Sequence, residues 1–316
     1  MAWGLILFCS AIQASGWDAG FKPREFSFRR LQADGQKDLH LLLTAFQDDG
    51  IVTITGLPRI DEVGPTHELA RLLIPSDQEA LEGAFWNKGH IERTCLSDFT
   101  TGDFAHLAYG SAEISPHTDG AYLPTPPRAK LLHVTRFDAA ANSSDENAFP
   151  SNTFVDSNYI RARLSAMELS LLQDNPLPIH YNDDGDKRIF ECRHPVFANS
   201  TLPGDDASQP LCTKNVIWER RFRVVWNAHD RVDRDLPRVA NLQVALAAFE
   251  RLANSDESNL IMKLVPGRAV LIDNWRVLHG RKKYDGGLRR LVGADFPDED
   301  LAGRWNELHS NICRPS

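Results

Sequence analysis

The sequence predicts a mainly β protein with flanking helices, a sandwich or jelly roll. Three observations predict it. Short β-type runs bounded by turn residues recur along the chain, amphipathic helical stretches are few, and no βαβ alternation appears. At 316 residues the chain is long enough for one large β domain.

The first element is helical: Asp38 to Phe46 carries apolar residues at helical spacing, and Asp49-Gly50 ends it. The β-rich run Ile51 to Thr55 follows. Two further stretches, Tyr159 to Leu172 and Val239 to Leu252, read as amphipathic helices. Strands are expected at Lys130 to Val134, Thr153 to Val155, Phe222 to Trp226, Ile261 to Val265, Ala269 to Ile272 and Leu288 to Ala294. Polar insertions at 139–152 and 199–214 read as surface loops. No linker or repeat divides the chain, so residues 25–316 form one expected domain after a lead-in of residues 1–24.

Composition narrows the function. A formal charge of −8 with no basic tract argues against nucleic acid. The apolar stretch from Ala2 to Ile12 is shorter than a bilayer span and lacks the basic flank of a signal peptide, although Ala14-Ser15-Gly16 offers small residues for cleavage. Five scattered cysteines with no C-x-x-C pair encode neither a disulfide framework nor a thiolate zinc site. Nucleophile-elbow, P-loop, dinucleotide and H-E-x-x-H motifs are absent.

A histidine–carboxylate pattern remains. In His117-Thr118-Asp119 the two ligand-type side chains share a face if the chain is extended. Chance yields about one or two such pairs in this composition, and His90-Ile91-Glu92 is another, so a surface histidine beside a solvated aspartate stays open as the bland reading. Context adds weight. Far downstream, the apolar strand Ala269 to Ile272 leads through Asp273-Asn274-Trp275-Arg276 to His279, and Arg289 opens another apolar strand, where a buried guanidinium needs an anion. Two histidines, one carboxylate and a strand-borne arginine fit a non-haem Fe(II) facial triad with a clamped carboxylate cosubstrate. Since alternate positions share a face, Arg289 and Arg290 cannot both point inward.

The segments Phe99 to Asp103, Leu107 to Tyr109, Pro116 to Asp119, Leu131 to His133, Phe154 to Asp156, Trp226 to Arg231, Pro266 to Arg281 and Arg289 to Asp300 resemble the γ-butyrobetaine and trimethyllysine hydroxylases, Fe(II)/2-oxoglutarate oxygenases of the wider taurine-dioxygenase superfamily. The resemblance implies a double-stranded β-helix, iron held by His117, Asp119 and His279, and 2-oxoglutarate held by Arg289. It implies O2 as co-reactant, succinate and CO2 as co-products, and a small-molecule substrate that is hydroxylated, or otherwise oxidised by desaturation, cyclisation or epimerisation. It leaves a homodimer and a cytoplasmic location as expectations, with mitochondrial or secretory targeting open.

The substrate pocket departs from the family. Tyr109 preserves one tyrosine of the aromatic cage that holds a trimethylammonium head. Other cage positions correspond here to Leu96, Glu92 and Asp295. A carboxylate pairs with an ammonium that has N–H donors, which a trimethylated nitrogen lacks. Tyr109 and Asp295 are therefore expected substrate contacts, for an amine or amino-acid-like molecule in specialised metabolism, and Tyr122, three residues past Asp119, is a further one, with simple packing as its bland reading. A carnitine-pathway hydroxylase and a non-catalytic ligand-binding β-helix protein are the alternatives, and Asp295 as the mere start of a polar turn is the bland reading of that residue. Trp275 reads as core, and His133 as core or as a support behind the metal ligands.

Overall fold

The computed structural model describes residues 16–33, 35–58, 64–74, 111–139, 149–183, 188–199, 214–218, 236–284 and 287–313. Tyr109, the His90-x-Glu92 pair, the strand expected at Phe222 to Trp226, most of both polar insertions and residues 1–15 lie outside them.

The chain opens with strand β1 (Arg24–Ser27), helix α1 (Phe28–Ala33), helix α2 (Gly35–Asp49) and strand β2 (Ile51–Thr55). Gly50, at φ 75°, closes α2 by donating its N–H to the Phe46 carbonyl. That left-handed conformation is cheap only for glycine. Helix α3 (Gly64–Leu73) and strand β3 (Ile114–His117) follow. Next come β4 (Ala129–Ala139), β5 (Ser151–Asp156), α4 (Ser157–Arg161) and α5 (Ala166–Asp174). Two ribbons, β6 (Leu177–Asp183) with β7 (Arg188–His194) and β8 (Phe197–Asn199) with β9 (Lys214–Val216), precede α6 (Leu236–Ala253). The chain then runs through β10 (Asn259–Lys263), β11 (Arg268–Asp273), β12 (Val277–Arg281), β13 (Gly287–Phe296) and α7 (Asp298–Cys313).

Two sheets face one another. The larger has the order β1-β2-β11-β4-β13 and the smaller β10-β5-β12-β3. Period-two alternation sorts their side chains into three layers. Val134, Val270, Ile272 and Leu291 of the larger sheet meet Phe154 and Val277 of the smaller one in the interior. Leu131, Ala269 and Leu271 point outward and pack under α1, α2, α3 and α7. Val155 and Leu278 of the smaller sheet pack outward under α4, α5 and α6. This is the expected double-stranded β-helix, a jelly roll with helices outside. Residues ahead of β1 join the packing, since buried Trp17 donates its indole N–H to the Asp49 carbonyl.

Two expectations are corrected in detail. The helix predicted over Tyr159 to Leu172 is two helices, because Ser165 caps α5 with Glu168 in a reciprocal capping box and the chain must turn to form it. The strand predicted at Ile261 to Val265 runs from Asn259 to Lys263, where it pairs with β5 and leaves Val265 to a turn.

His133 lies on the outward face of β4, its Nδ1 2.7 Å from the Thr66 hydroxyl. Burial pushes its pKa down from 6.5 to about 4. Between those values the unfolded chain binds a proton that the folded chain does not, so stability is complete above pH 6.5 and falls as the pH drops toward 4. The loss attributable to His133 is about 3 kcal/mol. Urea midpoints for His133→Asn should depend less on pH across that window than those of the unaltered protein, and equal dependence would reject the assignment.

Candidate metal centre

His117 ends β3, and His279 lies in the middle of β12. The two strands are antiparallel, and His279 is the direct cross-strand partner of His117. Their rings approach to 4.5 Å between centroids. A large part of the chain separates them in sequence, and one ladder rung brings them together. Gly280 makes the ladder tight: a Cβ there would stand 2.5 Å from the Ile114 carbonyl oxygen and 2.8 Å from Thr153 Oγ1.

Asp119 is not on an extended strand as the alternation argument assumed. It lies in the turn just past β3, where Gly120 adopts φ 68°. The turn nevertheless returns its carboxylate to the histidines. Asp119 Oδ1 is 3.3 Å from His117 Nε2, and Oδ2 is 3.2 Å from His279 Nε2. The three ligand atoms all lie within 4.8 Å of one another, and this is the sole such cluster of three or more among the described residues.

The electrostatics suit a cation. Burial pushes the His279 imidazole down to about 4 despite the neighbouring Asp119, so the ring is neutral at physiological pH. Burial would raise the Asp119 carboxyl, but the Lys130 ammonium outweighs it, and the group is held well below the usual carboxylate range. His117 Nδ1 is 3.0 Å from the Ser115 carbonyl oxygen. Donating its proton there leaves the Nε2 lone pair facing the cluster, as second-sphere contacts do in metal sites. Neutral imidazoles and an ionised carboxylate are the donor set of a 2-His-1-carboxylate site for Fe(II).

The turn from β11 to β12 builds the support. Fully buried Asn274 accepts the Asp119 N–H at 2.9 Å and donates its amide N–H to the Asp119 carbonyl at 3.0 Å and the Pro127 carbonyl at 2.9 Å. Trp275 donates its indole N–H to the Pro126 carbonyl, so it is core as expected. Arg128 pairs with Asp273 at 2.8 Å, and Arg276 with Asp156 through two hydrogen bonds of 3.2 and 2.8 Å. The Asp273-to-Arg276 run thus fixes the loop that carries Asp119, and the histidine after it completes the cluster.

The β4–β13 ladder presents the remaining predicted residues. Leu291 pairs with Val134 and faces the interior, so Gly293 and Asp295 face it too; past the register shift between Arg290 and Leu291, Arg289 pairs with Phe137, which packs against the same interior cluster. Arg289 is buried, at 5% exposure, and Arg290 is only partly so, in line with the expected alternation. Asp295 accepts a hydrogen bond from Lys130 Nζ at 3.0 Å. Tyr122, three residues past Asp119, packs against the small cluster of Ala121, Ile179 and Ile217.

Sequence reasoning missed Asn274 and Lys130. Lys130 sits on β4 directly opposite Asp295 and contacts both that residue and Asp119. Its signal was a single charge inside the run Ala129 to Val134, which could have prompted a search for a buried carboxylate.

Residues 12–294 match the family described as "Taurine catabolism dioxygenase TauD, TfdA family". The chain is 25% identical over 232 residues to a trimethyllysine dioxygenase from Meyerozyma guilliermondii, covering 72% of this chain and 50% of that one. It is 29% identical over 211 residues to the human gamma-butyrobetaine dioxygenase, covering 63% of this chain and 48% of that one. It therefore spans about half the length of these curated relatives. A solved asparagine oxygenase in complex with Fe(II), 3-hydroxyasparagine and succinate superposes with a TM-score of 0.53 at 15% identity, over 84% of this chain and 82% of that one, a likeness of fold. With the match running across both sheets and through all three ligand-type residues, the chain belongs to the TauD/TfdA dioxygenase family.

Proposed function

We propose that the chain is an Fe(II)- and 2-oxoglutarate-dependent oxygenase that oxidises a small amine or amino-acid-like substrate. The observation that carries this reading is the cross-strand pairing of His279 with His117, with the Asp119 carboxylate across both imidazoles. His117, Asp119 and His279 would hold the iron, and Arg289 would hold the distal carboxylate of 2-oxoglutarate through its planar fork. When bound, these groups supply O2 activation coupled to decarboxylation of the 2-oxo acid, giving succinate and CO2. The protein's own share is to keep His279 neutral and Asp119 ionised at the pH of use.

On the substrate side, Asp295 faces the interior and already accepts from an ammonium, that of Lys130. The reading that it recognises a nitrogen bearing N–H donors rests on this carboxylate standing where the family has a cage aromatic. Tyr122 and Tyr109 would complete the pocket. A trimethylated substrate of the carnitine pathway is the second reading, favoured by the names of the two relatives. No helix among the described residues is long and apolar enough to cross a membrane. A reducing, cytoplasmic setting, which suits labile Fe(II), belongs to the same proposal, as does a homodimer.

The test is succinate release from 2-oxoglutarate with Fe(II), screened across free amino acids, simple amines and their trimethylated counterparts. An N–H-bearing amine should stimulate release, and Asp295→Asn should raise its KM by about tenfold, the worth of one charged hydrogen bond. Stimulation by trimethylated compounds alone would support the second reading, and no release with any compound would leave a binding protein. An unchanged KM would remove Asp295 from the pocket.

A further inference from the structure

Lys130 is a cation in the apolar interior between the sheets. It shares the inward face of β4 with Leu132 and Val134, and its side chain is 1% exposed. Burying an ammonium costs several kcal/mol unless its donors are satisfied by anions. Here two carboxylates receive it: Asp295, its partner across the β4–β13 ladder, and Asp119, through Oδ2. One carboxylate would suffice for a structural ion pair. The second one belongs to the metal centre.

Resting on the reading above, we infer that Lys130 is a positioning residue that fixes the rotation of the Asp119 carboxylate, so that this group offers a metal ion one oxygen and not two. The ammonium engages Oδ2, which also lies 3.2 Å from His279 Nε2, and so leaves Oδ1, 3.3 Å from His117 Nε2, as the oxygen to serve as ligand. Asn274 grips the backbone of Asp119 through both its N–H and its carbonyl, and Lys130 grips the side chain. Asp295 steadies the ammonium from the far side. Two carboxylates against one ammonium also leave the group net anionic, as a divalent cation requires. A carboxylate kept to one bond preserves three open positions on an octahedral ion, two of which a 2-oxo acid takes through its carboxylate and keto oxygens.

The experiment is titration of the metal-free protein with Co(II), then with 2-oxoglutarate, followed by the visible d–d spectrum. Lys130→Met should still bind Co(II), but with an altered spectrum, because the released carboxylate takes a further position. Its 2-oxoglutarate affinity should fall about 10- to 100-fold, the usual cost of losing a residue that orients a ligand. A merely structural ammonium would lower stability and leave the spectrum of the folded protein alone. If Lys130→Met fails to fold with Asp295 left unbalanced, the variant Lys130→Met with Asp295→Asn removes one charge of each sign and must show the same altered spectrum. A spectrum and a 2-oxoglutarate affinity like those of the unaltered protein, in either folded variant, overturn the inference. Failure of the unaltered protein to bind Co(II) rejects the metal centre itself, and this role with it.

Discussion

His279→Ala is expected to reduce Fe(II) or Co(II) affinity by more than about 100-fold, and succinate release from 2-oxoglutarate with it. Losing even an outer partner of a metal ligand costs about 10- to 100-fold, and His279 supplies one of only three ligand-type atoms in the cluster. Calorimetric titration with the metal and a succinate assay measure the two effects separately. The variant should fold, because the imidazole it removes is neutral and its strand is held on both sides by β3 and β5. Metal binding of unaltered strength in a folded His279→Ala would sink the assignment.

The largest effect on stability is expected at the base of the β11–β12 turn. Arg276 and Asp156 are joined by two hydrogen bonds with both side chains buried, and Arg276 also donates to the Asp48 carbonyl at 2.6 Å. Arg276→Met leaves the Asp156 carboxylate buried without its cation, a change that costs about 3–5 kcal/mol. In thermal denaturation the midpoint should drop by about 5–8 °C. Asp156 also caps α4 by accepting the Asn158 N–H, so the loss should extend to that helix. The double replacement Arg276→Met with Asp156→Leu should recover part of the deficit, since a matched apolar pair avoids the stranded charge. A drop of only a degree or two would mean that water reaches the site and screens the charge.

Much of this is legible in the sequence. The Asp49-Gly50 break, the apolar strands β4, β11 and β13, and the residue types of the cluster follow from local pattern and from resemblance. The meeting of His117 with His279 does not, because a rung of a ladder is set by strand order and register, and neither is written in a single strand. Lys130 was hidden for a related reason: a lone lysine in an apolar run gives no hint of which carboxylates the opposite strands will bring. The α4–α5 break was readable, since Ser165 and Glu168 stand at capping-box spacing. There the apolar periodicity masked the stop.

Because both imidazoles sit on one rung of the smaller sheet, an ion shared between them would act as a staple closing a loop of roughly 160 residues. Such a staple exists only in the folded chain, so its binding energy adds to the fold's, and resistance to heat should climb with the logarithm of metal concentration above the dissociation constant. The protein's durability in a cell would then follow its iron supply, with starved molecules the first to unravel.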